Sequence, residues 1–136
     1  MNHIAEYSKQ TIEYFLDGTK SVDFRASREP RLPYNSVNEE DVIYLKNREG
    51  FTVAKAKVTK VEEYKDLTPD ELKDIVEKYH KEIKPTSKNL DSDVFNKYAT
   101  FIWIEDLQEI RPFRIRNDDQ QHTSWRMVDD IFKLKA

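Results

Sequence analysis

The chain has 136 residues, 38% of them apolar and 12% aromatic, which is enough to close one core and too little for two. Charged side chains reach 36%, but 23 basic against 26 acidic groups leave a net charge of −3, the mixed pattern of a solvated folded surface rather than of a disordered tail. The absence of cysteine excludes disulfides, thiolate nucleophiles and sulfur-ligated zinc. With no apolar run of the ~20 residues that cross a bilayer and no secretion signal at the N-terminus, one cytoplasmic domain over residues 1–136 and no membrane partner are expected.

In chain order, Ile12, Phe15 and Leu16 fall at helical spacing within Ser8 to Leu16, and Asp17-Gly18 supplies a left-handed exit, so a short helix is expected to open the chain. From Thr19 to Ala26, Val22 and Phe24 alternate with Ser21, Asp23 and Arg25, the period of a half-buried strand. Pro30 and Pro33 then break an arginine-bearing loop, Ser27 to Asn38. Strands are expected at Asp41 to Lys46 and at Phe51 to Tyr64, the second long enough to bulge.

Thr68-Pro69-Asp70-Glu71 is a helix start with a hydroxyl cap, a first-turn proline and a glutamate placed to bond back. Leu72, Ile75, Val76, Tyr79 and Ile83 continue it as one apolar stripe up to Pro85. Thr86 to Lys97 reads as a loop with a helical turn near Asp93 to Tyr98. Tyr98 to Ile104 is apolar on both faces, as a central strand is, and Leu107 and Ile110 extend it towards Pro112. A polar span, Arg114 to Ser124, precedes a last strand from Trp125 to Phe132. Five or six strands with helices at their side predict an α+β fold, a mixed sheet curled into a small barrel.

The chemistry is sparse. Two glycines exclude a phosphate-cradling loop. His122 beside Asp118 and Asp119 is the one grouping with cation-binding character, and it reads as an ordinary solvated loop, so no metal and no cofactor are expected. The arginines gather in two stretches, Arg25 to Arg48 and Arg111 to Arg126, and arginine is the residue of planar phosphate and carboxylate recognition. The denser constellation is Gly18-Thr19-Lys20-Ser21-Val22-Asp23-Phe24-Arg25, a helix-ending glycine that feeds into a strand projecting an amine, an acid and a guanidinium.

That segment resembles the opening signature of the ASCH domain, a small barrel of the PUA-like superfamily, in which a Gly-x-Lys turn precedes a strand with an acidic residue and then arginine. The strand Asp41 to Asn47, the run Ala54-Lys55-Ala56-Lys57-Val58, the Leu67-Thr68-Pro69 helix start and the late Trp125 agree with it. The resemblance implies a basic cleft for RNA or a nucleotide, with DNA a further candidate. Lys20, Asp23 and Arg25 stand at its motif positions. Arg28, Arg31 and Arg126 are expected to neutralise phosphate, and an aromatic, Trp125 at the cleft edge or else Trp103 or Tyr98, to stack on a base. The competing reading makes Lys20, Asp23 and Arg25 a structural ion-pair network.

The resemblance also implies a hydrolase alternative acting on RNA or on acetylated cytidine, with Lys20 and Asp23 as its catalytic pair. In the amidohydrolase branch, the position of Asp23 is a threonine nucleophile. This chain lacks that hydroxyl, and Ser21 stands two residues earlier. A third alternative is a protein-interaction module presenting the charged face of the Thr68 to Lys84 helix.

Overall fold

The computed structural model describes residues 1–84, 95–115 and 124–135. Six strands, β1 (Asn2–Tyr7), β2 (Val22–Ser27), β3 (Val42–Asn47), β4 (Phe51–Tyr64), β5 (Tyr98–Arg114) and β6 (Trp125–Val128), are joined by helices α1 (Lys9–Leu16), α2 (Pro69–Lys78) and α3 (His80–Ile83). They make one sheet in the order β2-β5-β4-β3-β1-β6. Every pairing is antiparallel except β1 with β3, so the α+β mixed sheet expected from the pattern is the one observed. No helix among the described residues is long and apolar enough to cross a membrane.

The sheet curls until its two free edges, β2 and β6, approach each other. Side chains close the gap: the Tyr7 hydroxyl reaches Asp23, and the Arg25 guanidinium lies 5.2 Å from the Trp125 ring. The interior holds Ala5, Tyr7, Ile43, Leu45, Ala54, Ala56, Val58, Ile102 and Trp125, and α1 adds Ile12 and Phe15. On the outside of β2 and β5, Val22, Ala99 and Phe101 pack against Leu72 and Ile83 of α2 and α3. Because strand side chains alternate, β2 serves both clusters: Val22 and Phe24 face the helices while Asp23 and Arg25 face the interior.

Local signals account for the elements. Ser8 caps α1 by accepting from the Thr11 backbone N–H at 3.2 Å, and Gly18 leaves the helix at φ +82°. Thr68 and Glu71 complete a reciprocal capping box at 3.2 and 3.0 Å. The long β4 bulges against β5, as its length implied; Asp106, at φ +56°, falls in one bulge of β5 and Pro112 beside another, where a proline takes nothing from the ladder.

Four expectations are corrected. The chain opens with β1, not with a helix: His3, Ile4 and Ala5 are all buried, so the strand lacks the alternation that announces one. The helix expected as one piece to Pro85 divides at Tyr79, which sits at φ −106°, ψ 17° with its ring seated on Phe101 and Trp103, and Lys84 ends α3 in the left-handed region. Tyr98 opens β5 rather than closing a helical turn. The last strand stops at Val128, and Ile131–Leu134 forms a 3₁₀ turn whose Ile131 packs on Ile4. Most of the expected loop before Tyr98, and the Asp118, Asp119 and His122 grouping, lie outside the described residues.

Candidate functional site

Asp23 is 4% exposed and accepts from the Tyr7 hydroxyl at 2.8 Å and from Arg25 Nε at 3.2 Å on both oxygens. Arg25 Nη2 donates to the Glu6 carbonyl at 3.2 Å, and its guanidinium lies 5.0 Å from the Tyr7 ring centroid as well as close to Trp125. Burial works against the charge on Arg25, but Asp23 and Tyr7 outweigh it and hold the pKa above the ordinary arginine value. Burial first, and Asp23 next, push the Tyr7 phenol well above its usual range, so it stays a donor. Of the five N–H groups on a guanidinium, Nε–H bonds to Asp23 and one on Nη2 to the Glu6 carbonyl, so donors remain on the side chain, which also lines the pocket described below.

Trp125 does not reach a cleft edge: it is 2% exposed. Its indole N–H donates to His3 Nδ1 at 3.1 Å, and His3 Nε2 meets Asp41 Oδ2 at 2.8 Å. An indole N–H only donates, so Nδ1 is the acceptor and the His3 proton sits on Nε2, pointing at Asp41. The chain of contacts therefore fixes the Trp125 ring beside Arg25, a cation–π contact worth about 0.5–2 kcal/mol. Trp125 thus acts on the arginine and not as a free stacking platform.

Lys20 stands apart. Its ammonium donates to the Ile83 carbonyl at the end of α3 and lies 5.3 Å from the Phe15 ring centroid. Burial lowers its pKa, Asp23 opposes that and Arg25 adds to it, so Lys20 belongs electrostatically to the cluster without sharing its opening. Arg28 is exposed, with its guanidinium 5.8 Å from the centroid of the Phe95 ring. Arg126 pairs in register with Ile4 and so lies on the outer face of β6, away from Arg25.

At the seam between β2 and the start of β6 is a pocket of about 190 Å³. Arg25 forms part of its lining and Arg31, which is exposed, another part; Arg31 makes no ion pair among the described residues. Tyr34 and Tyr98, edge to face at 5.1 Å, and Leu32 with Pro33 make its apolar wall. Ser27, Thr100 and Ser124 add hydroxyls, and no carboxylate is among the described lining residues. Tyr7, Tyr34, Ser27 and Thr100 join the site without having been expected there. Alternation held part of the signal, since Ser27 lies two residues beyond Arg25 on the same face. A wider, more open groove of about 580 Å³ lies at Glu13, Leu16, Asp17, Leu107 and Glu109; its three acids would repel a polyanion.

No protein-family model matches the chain, and no curated protein matches it. Solved structures do. The crystal structure of ASCH from Zymomonas mobilis superposes with a TM-score of 0.69, covering 99% of this chain and 96% of that one at 16% identity. The fold is that of an ASCH domain. The hypothetical protein PH0355 matches 81% of this chain and 100% of its own length, with a TM-score of 0.55 and 20% identity. At such identities the likeness extends to the fold and not to chemistry, so what this barrel does must be read from its own side chains.

Proposed function

We propose that this protein binds RNA or a nucleotide at the seam pocket. The observation that carries the reading is Arg25, a guanidinium locked by Asp23, Glu6, Tyr7 and Trp125 with donors left over, lining a pocket that has aromatic walls, an exposed Arg31 and, among the described residues, no carboxylate. Locking matters because a side chain already ordered loses less entropy when a ligand arrives. Arg31 supplies the phosphate term, and Tyr34 and Tyr98 supply aromatic surface for a base. Arg28 and Arg126 lie outside this pocket, Arg28 on the Phe95 side and Arg126 on the opposite face of the sheet.

Hydrolysis has less support from the residues. Lys20 is committed to the Ile83 carbonyl and does not line the pocket, and the Asp23 oxygens are already taken by Tyr7 and Arg25. Fluorescence anisotropy with a short labelled single-stranded RNA tests the binding reading. Affinity falls as salt rises, and Arg31→Gln lowers the slope of log affinity against log salt by about one. A slope of zero in the unaltered protein would remove phosphate neutralisation from the account. Single-stranded DNA of the same sequence shows whether the ribose hydroxyl counts.

A further inference from the structure

We propose that the seam pocket takes a nucleobase by its hydrogen-bond-acceptor edge and leaves the phosphate to Arg31; this rests on the binding reading above and specifies its ligand. The charge of Arg25 is already answered. Asp23 holds both oxygens 3.2 Å from Arg25 Nε and is itself 4% exposed, so a phosphate approaching the guanidinium also meets a carboxylate that water screens poorly. A ring carbonyl or ring nitrogen carries no net charge and asks only for N–H donors in a fixed plane. Arg25 offers them: its spare N–H groups belong to a planar fork held in place by the Glu6 carbonyl and by the Tyr7 and Trp125 rings.

The walls and the size agree. Tyr34, Tyr98 and Pro33 present flat apolar surface, which suits a heteroaromatic ring, whereas a phosphate site collects cations and backbone N–H groups. A volume of about 190 Å³ lies below the ~300 Å³ at which pockets begin to enclose drug-sized ligands, so one ring enters and the sugar and phosphate stay outside. Arg31, exposed at the same pocket and without an ion pair among the described residues, is the cation left to meet that phosphate.

The test is a nuclear magnetic resonance titration of the full chain, reading Arg25 Nε–H and the Trp125 indole N–H, with uridine, guanosine, inorganic phosphate and a short RNA as probes. The expected result is that at least one of the uncharged nucleosides shifts Arg25 Nε–H saturably, with an affinity unchanged between about 50 and 200 mM salt, while inorganic phosphate leaves that resonance in place. The inference is overturned if phosphate saturates the Arg25 signal, or if RNA moves it and neither nucleoside does; in both cases RNA binding itself survives. If neither RNA nor nucleosides move any lining resonance, the binding reading falls and this inference with it.

Because Arg25→Gln leaves Asp23 buried without its cation, a folding failure there would be uninformative, and Tyr98→Ala serves as the second variant. It should weaken RNA binding about tenfold, the size of one lost stacking contact, with the salt slope intact. An unchanged affinity, or a changed slope, contradicts a base in the pocket.

Discussion

Asp23 and Glu62 are built from the same parts. Asp23 accepts from the Tyr7 hydroxyl at 2.8 Å and from Arg25 at 3.2 Å; Glu62 accepts from the hydroxyls of Tyr79 and Tyr64 at 2.7 and 3.0 Å and from Lys60 at 3.1 Å. Their surroundings differ. Asp23 faces the barrel interior beside an arginine with donors to spare, while Glu62 stands on the helix side with 24% of its side chain exposed, pinning Tyr79 at the α2–α3 junction against β4. Lys60 is shared with the Trp103 ring, 4.5 Å from its centroid. A tyrosine-held carboxylate is a fastener in both places; it enters the proposed binding site only where its cation has unspent donors beside an open pocket.

Changing each carboxylate separates the two roles. Asp23→Asn should have the largest effect, because it leaves Arg25 charged and short of its partner. Breaking a buried pair costs about 3–5 kcal/mol, and the 19% exposure of the Arg25 side chain places this one near the lower end, readable as a shifted urea midpoint. A loss under about 1 kcal/mol would mean that Asp23 does not hold the seam. Tyr79→Phe should cost about 1 kcal/mol, since water can replace the lost hydroxyl at Glu62, and should leave RNA affinity as it was. A fall in affinity would join the two clusters that the geometry keeps apart.

The smallest effect is in the alkaline titration. Burial first, then the hydrogen bond to Glu62, pushes the Tyr64 phenol up to about 12 from an ordinary 10.0. Its contribution to stability is therefore complete below pH 10 and is lost as pH rises through about 12. Phenolate absorbance should show a late step there that moves back towards 10 in Glu62→Gln. At the acid end, burial draws the Glu62 pKa up, but the hydrogen bonds from Tyr79, Lys60 and Tyr64 outweigh it and hold the group below its usual 4.5.

The barrel wall was legible where the cause is local. The span Phe51–Tyr64 needs only alternation, the Thr68 box only its four residues, and the turn into β2 only Asp17-Gly18. β1 was not legible, because it is buried between partners far along the chain, β3 and β6. The site divides in the same way. Asp23 and Arg25 could be placed on one strand, but whether they met solvent or each other depended on Tyr7 and Trp125, which the curl of the sheet brings across the seam. Trp125 looked like an edge residue because polar neighbours flank it, and its burial is decided by His3 at the opposite end of the chain.

Closure through side chains has a dynamic consequence. The ladder from β5 to β1 would have to break strand-to-strand backbone hydrogen bonds to open, whereas among the described residues β2 meets β1 and β6 across the seam through the Tyr7, Asp23, Arg25 and Trp125 side chains and the Glu6 carbonyl. That seam is therefore expected to loosen before the ladder does. Amide hydrogens of β6 should exchange with solvent faster than those of β3 and β4, which sit inside the sheet with partners on both sides.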